Sequence, residues 1–173
     1  MASQTPATMT FVLGGARSGK SLYAERMVTA YPAPWTYIAT AQSFDGEMAE
    51  RILQHQLRRV PGWVTVNAPV DLAEALRAVP AGQPILVDCL TLWLTNVITA
   101  EHDVSVAGDE LMAALELMSG PCVVVSNEVG LGIVPGNALA RAFRDHSGRL
   151  HQRVAAMADR VVLMVAGLPM VVK

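Results

Sequence analysis

The sequence predicts an α/β fold: a doubly wound, mostly parallel sheet in a single domain over residues 1–173. Three observations predict it. Short apolar, β-rich runs alternate with helical patterns along the chain. Several runs, such as PILVD and CVVVSN, are apolar without interruption, as a parallel strand must be when helices cover both its faces. The final two runs are separated only by AGLP, too short for a helical crossover, so the last strand returns antiparallel at the sheet edge.

The expected strands are Thr10 to Leu13, Trp35 to Thr40, Val64 to Asn67, Ile85 to Asp88, Cys122 to Ser126, Val161 to Val165 and Met170 to Val172. Helical patterns fall at about 19–30, 45–59, 71–78, 90–100, 108–118 and 137–157. The last of these reads as a mostly solvated, charge-bearing helix: His146 and His151 are five residues apart and so do not share a face. One of its arginines, Arg144, Arg149 or Arg153, is a secondary candidate for touching a substrate phosphate. Cys89 and Cys122 each lie in or beside an apolar run and read as buried strand thiols rather than a disulfide pair.

Composition narrows the function. The 173 residues suit one domain of about 100–200 residues. Hydrophobic residues make up 52% and charged residues 16%, a globular balance whose apolar bias implies a large core or surface shared with another subunit. The net charge is −2, and eleven arginines with two lysines form no dense basic tract. That argues against a nucleic-acid-binding face, so any anion site is local. The start, MASQTPATMT, lacks the basic and apolar regions of a signal peptide. The longest apolar run, Val161 to Val172, is broken by Gly167 and Pro169 and falls short of the roughly 20 residues of a span. A cytoplasmic protein with no membrane span is expected. No CxxC or HExxH spacing suggests a structural metal.

Chemistry enters with GGARSGKS, residues Gly14 to Ser21, which satisfies G-x-x-x-x-G-K-[ST], follows a strand and opens a helix. Gly14, Gly15, Ala16, Arg17, Ser18 and Gly19 would turn backbone N–H groups toward phosphate oxygens, and the helix N-terminus adds partial positive charge. Lys20, the one internal lysine, would neutralise β and γ oxygens, and Ser21 would ligate Mg²⁺. The expected class is therefore a P-loop NTPase fold of RecA-like type. Ligands in such sheets sit at the carboxyl ends of the strands, which directs attention to Thr40, Ala41, Gln42, Asp88, Asn127 and Glu128. Asp88 ends PILVD, where a P-loop protein places a carboxylate toward the metal. The same residue would also serve as N-cap of the following helix. Glu128 reads equally as a site carboxylate or a solvated loop residue.

The segment GEMAERILQHQLRR, Gly46 to Arg59, reads as an amphipathic helix with Met48 and Ile52 inward. His55 stands one turn from Arg51 and one from Arg59, with Arg58 also in reach. It is either part of a solvated basic face or a nucleophile. Nearby guanidinium groups disfavour imidazolium, keeping the ring neutral, and also attract a triphosphate.

Taken together, the P-loop, IATAQ, MAERILQHQLRR, LVDCLTLWLTN and SNEVGLGIVPGN make the chain resemble the bifunctional adenosylcobinamide kinase/adenosylcobinamide-phosphate guanylyltransferase family, from about Thr10 to Lys173. The resemblance implies phosphorylation of adenosylcobinamide by ATP or GTP, then transfer of GMP from GTP to the new phosphate through a guanylyl-histidine. Met48 to His55 matches the family segment M-A-x-R-I-x-x-H, which makes His55 the expected carrier beside Lys20 as a catalytic residue. It further implies nucleotide contacts from Gln56, Leu57, Arg58 and Arg59, and from Thr40, Ala41, Gln42 and Asp88. Where the family often has a nucleotide-binding glutamate after the tryptophan of PGW, this chain has Asn67, which lacks the charge to grip guanine N–H groups as strongly. A homo-oligomer, a trimer in form, is also implied. The competing readings are a P-loop small-molecule kinase without nucleotidyl transfer and a non-enzymatic GTP-binding switch.

Overall fold

Seven strands take up the apolar runs and pair into one sheet: β1 (Met9–Gly14), β2 (Trp35–Ala39), β3 (Trp63–Asn67), β4 (Ile85–Asp88), β5 (Cys122–Asn127), β6 (Arg160–Val165) and β7 (Leu168–Val171). This is a computed structural model that describes residues 9–42, 46, 50, 53, 57 and 59–173. The helices are α1 (Lys20–Thr29), α2 (Leu72–Arg77), α3 (Leu90–Thr99), α4 (Val104–Glu116) and α5 (Ala138–Met157). The strand order is β3-β2-β4-β5-β1-β6-β7. All pairs are parallel except β6 with β7.

Side-chain alternation sends the residues of the five inner strands to two cores. On one face Phe11, Ile38, Ile85, Val87 and Val124 pack with Leu72, Leu76, Leu94, Leu111 and Val154 of α2 to α5. On the other, Val12, Tyr37, Leu86, Val125 and Val162 pack with Ala24 and Val28 of α1. Burial on both sides is why β4 and β5 read as unbroken apolar runs. At about 25 cal/mol per Å² of apolar surface, side chains such as Phe11 and Ile38, fully buried, each contribute on the order of 2 kcal/mol.

Outside 45–59, the expected elements are present with shifted ends. α4 begins at Val104, four residues before the sequence expectation, because Asp103 Oδ1 accepts from Ser105 N at 2.8 Å and Val106 N at 3.1 Å and caps it there. β7 begins at Leu168, since Ala166 and Gly167 alone make the turn, both with positive φ, as a two-residue hairpin twist requires. Cys89 is buried but is the N-cap of α3 rather than a strand thiol. α5 is less solvated than expected: Ser147, Leu150, His151 and Val154 are buried. Of the expected helix at 45–59, Gly46, Glu50, Leu53 and Leu57 are helical, and both leucines are exposed. Met48, Arg51, Ile52, His55, Gln56 and Arg58 lie outside the described residues.

Candidate active site

Register brings the strand ends to one edge of the sheet. Gly14 pairs with Asn127 and with Met164, Ala39 with both Asn67 and Asp88, and Asp88 with Val125. Because β5 lies between β1 and β4, the P-loop strand and the Asp88 strand stand roughly 10 Å apart, two strand spacings. That gap is wide enough for a phosphate group and a hydrated cation between them.

The loop after β1 closes on itself. Ser18 N donates to Gly15 O at 3.3 Å. Gly19, with φ of 92°, is the left-handed residue that launches α1, a conformation that costs other residues about 1–2 kcal/mol. A Cβ on Gly14 would come within 2.4 Å of Ser18 Oγ, so glycine is required there for close packing rather than for φ. Lys20 Nζ donates to Gly15 O at 2.9 Å, holding the ammonium over the loop. Burial lowers the Lys20 pKa, and Cys89 and Asp88 oppose that fall. The Cys89 thiol is itself pushed up to about 11, chiefly by burial and then by Asp88. It is therefore neutral near pH 7, which leaves Asp88 as the neighbour whose charge supports the ammonium.

The described residues fit a magnesium-bound triphosphate. Ser18 Oγ is buried without a hydrogen-bond partner among the described residues, a donor that a phosphate oxygen would satisfy. No group of three or more His, Cys, Asp or Glu side chains gathers among those residues to hold a metal. Mg²⁺ characteristically takes one or two protein ligands, which Asp88 and Ser21 would supply, and completes its shell with phosphate and water.

Asp88 is not a helix cap: Cys89 occupies that position, without a side-chain cap bond. Instead Asp88 Oδ2 accepts from Tyr37 Oη at 2.8 Å. Tyr37 is held protonated, its pKa raised first by burial and then by Asp88, so it is a dependable donor. Arg59 lies with its guanidinium carbon 3.3 Å from the Tyr37 ring centroid, and its Nη1 donates to Thr65 Oγ1 at 3.1 Å. Thr40, buried, donates through Oγ1 to Cys89 O at 2.7 Å and accepts from Cys89 N at 2.8 Å. Asn96 Nδ2 donates to Thr40 O at 2.8 Å and to Pro69 O at 2.9 Å. The Asp88–Cys89 peptide between these partners is cis.

Ala41 and Gln42 follow Thr40 half-buried, and Asn67 is exposed at the end of β3. Glu128 continues from β5, its N donating to Gly14 O at 3.0 Å, while its carboxylate accepts from Gly130 N. Beneath it lies a hydroxyl chain: His151 Nε2 pairs with Ser126 Oγ at 2.8 Å, Ser126 Oγ with Thr91 Oγ1 at 2.9 Å, and Asn127 N donates to Thr91 Oγ1 at 2.7 Å. Burial lowers the His151 pKa, and Glu128 opposes this.

Sequence reasoning does not single out Tyr37, Asn96, Ser126 or His151. The signal for Tyr37 and Ser126 was a polar tip within an otherwise apolar strand, two or so residues before its carboxyl end. His151 carried none: five residues from His146, it shares no face with it, and its helix reads as charge-bearing. His55 lies outside the described residues. The structure brings Lys20, Asp88 and the loop glycines together, with Arg59 on the same face through Tyr37.

Comparisons with known proteins agree with this architecture. Residues 10–172 match the family described as cobinamide kinase / cobinamide phosphate guanyltransferase. The chain is 47% identical over 165 residues to the bifunctional adenosylcobalamin biosynthesis protein CobP of Pseudomonas aeruginosa, covering 94% of this chain and 95% of that one. It is 41% identical over 181 residues to the bifunctional adenosylcobalamin biosynthesis protein CobU of Salmonella typhimurium, covering 95% and 99%. Among solved structures, an ATPase from the type III secretion system of pathogenic bacteria superposes with a TM-score of 0.51 at 13% identity, over 90% of this chain and 50% of that one. That likeness is one of P-loop NTPase fold.

Proposed function

Since this chain belongs to the cobinamide kinase / cobinamide phosphate guanyltransferase family and is a kinase and guanylyltransferase of cobalamin biosynthesis, we propose that it uses ATP or GTP to phosphorylate adenosylcobinamide. It then moves GMP from GTP to that phosphate through His55, giving adenosylcobinamide-GDP. The observation that carries the phosphoryl half is Lys20 Nζ fixed over the P-loop by Gly15 O, with Asp88 on the same face.

In the kinase step the cobinamide hydroxyl oxygen bonds to the γ-phosphorus as the bridging oxygen to the β-phosphorus leaves with the nucleoside diphosphate. Loop amides and the Lys20 ammonium stabilise charge on the transferring oxygens, an effect available because the donors are already oriented. Ser21 and Asp88 would hold Mg²⁺, which supplies further neutralisation of phosphate charge. In the guanylyl step an imidazole nitrogen of His55 bonds to the α-phosphorus and pyrophosphate departs. A phosphate oxygen of the corrinoid then attacks the same phosphorus, breaking the P–N bond and restoring the imidazole. Gln56, Leu57, Arg58 and Arg59 contact the nucleotide in this reading, and Asn67 faces its base with less charge than a glutamate would bring.

The protein acts in the cytoplasm as a homo-oligomer. No helix among the described residues is long and apolar enough to cross a membrane. Support for assembly comes from β7, an edge strand whose Leu168, Met170 and Val171 are more than half exposed, an arrangement that invites a partner.

The test is to assay both activities separately in His55→Ala. Guanylyl transfer should fall to background while phosphorylation of adenosylcobinamide stays within about threefold of wild type, because only the former needs a covalent carrier. Retained guanylyl transfer would remove His55 from the mechanism.

A further inference from the structure

We propose that Tyr37 is the positioning residue for Asp88, and that Arg59 braces Tyr37 in that task. The inference rests on the reading that Asp88 holds the metal of the nucleotide complex.

An aspartate carboxylate has a broad terminal torsion, so its plane is not fixed by its own rotamer preference. Here one oxygen is taken: Oδ2 accepts from the Tyr37 hydroxyl at 2.8 Å, a charge-assisted bond stronger than a neutral one. Oδ1 has no hydrogen bond among the described residues and is the oxygen left for a cation. The Tyr37 ring is in turn confined. It is 4% exposed, Trp63 meets it edge-on with centroids 5.7 Å apart and planes at 81°, and the Arg59 guanidinium covers its face at 3.3 Å. Arg59 is itself tied to β3 through Thr65. A cation over a ring face is favourable by electrostatics alone, so Arg59 adds an attraction that holds the ring down as well as filling space.

Arg59 also ends the segment that carries His55. The support for the metal carboxylate therefore continues directly into the chain that bears the expected nucleophile, through one aromatic ring. Neither Tyr37 nor Arg59 needs to touch a reacting atom for this to matter.

Binding rather than turnover gives the clearest test. The probe is a GTP analogue with a methylene between its α- and β-phosphorus atoms, which cannot release pyrophosphate. Calorimetry measures its Kd in EDTA and in Mg²⁺, and the ratio is the gain due to the metal. In Tyr37→Phe, which keeps the ring, the gain should fall about fivefold while the Kd in EDTA stays within twofold of wild type. In Asp88→Asn the gain should vanish, and adding Tyr37→Phe should then change nothing. Arg59→Met should lower the gain about twofold in the wild-type background and have no effect on it in Tyr37→Phe.

If Asp88→Asn loses the gain and Tyr37→Phe keeps it, the positioning role is wrong while the metal reading stands. An unchanged gain in Asp88→Asn overturns the metal reading itself. A Tyr37→Phe loss that is equal in EDTA and Mg²⁺ also contradicts the proposal, because Tyr37 would then act on nucleotide or fold rather than through Asp88. Additive losses from Arg59→Met and Tyr37→Phe would show that Arg59 does not work through the ring.

Discussion

Lys20 is the internal lysine of a chain that otherwise has only Lys173, and its ammonium is tethered to the loop it serves by Gly15 O. Its removal should therefore be felt in both chemical steps, since both handle a triphosphate. Lys20→Ala is expected to lower kcat/KM for phosphorylation by about 100- to 1000-fold, the usual loss for a preorganised charge at the transition state. Lys20→Arg should not restore it, because a planar fork cannot replace a compact ammonium in the same seat. Steady-state kinetics on both variants checks this; an unaltered kinase rate in Lys20→Ala would exclude the residue. His151 makes a second, independent prediction. Burial lowers its folded pKa, while the unfolded ring titrates near about 6.5. The unfolded state thus binds the proton more readily, and stability is complete above that pH and lost as pH falls toward the depressed folded value. Unfolding free energies from urea titrations between pH 7 and 5 should decline by up to about 1.4 kcal/mol per pH unit from this group, and His151→Gln should flatten that part of the profile.

Among the elements, the β6–β7 hairpin has a role beyond closing the sheet edge. Gly167 N donates to Ser18 O at 3.0 Å, and a Cβ on Gly19 would stand 3.3 Å from Gly167 Cα, so the turn is seated against the P-loop. Gly167 has φ of 82°, and Gly167→Ala should cost about 1–2 kcal/mol and weaken nucleotide binding several-fold through the loop. Thermal unfolding and nucleotide titration on one sample would show whether the two effects travel together; intact affinity in a destabilised variant would deny the buttress. This contact was not legible in the sequence, where AGLP reads only as a short connection. β4 and β5 were legible, because apolar runs with both faces covered leave little alternative. The P-loop was legible because its glycines, lysine and serine follow in fixed order. The start of α4 was not, since the capping by Asp103 competes with an apolar pattern that begins later. His151 and Tyr37 have partners, Ser126 and Asp88, far away in the chain: strand order brings Tyr37 to Asp88, and the seating of α5 on the sheet brings His151 to Ser126.

At the scale of the molecule, the proposed function has one sheet edge serve two transfers. The order of strands places β5 between the P-loop strand and the Asp88 strand, leaving room for phosphates. Arg59 carries the account from that edge to the segment bearing His55. The proposed assembly would use the flank of the sheet opposite β3, where β7 is the edge. Leu168→Glu with Met170→Glu should reduce the mass measured by sedimentation to that of a single chain, while an unchanged mass would place the subunit contact elsewhere. The central claim is that His55 carries GMP. Its most direct measurement is incubation with GTP labelled at the α-phosphorus, followed by mapping of the labelled peptide. An acid-labile, alkali-stable adduct is expected on His55 in wild type and none in His55→Ala. Label on another residue, or guanylyl transfer to the corrinoid with no labelled protein at any time, would contradict it.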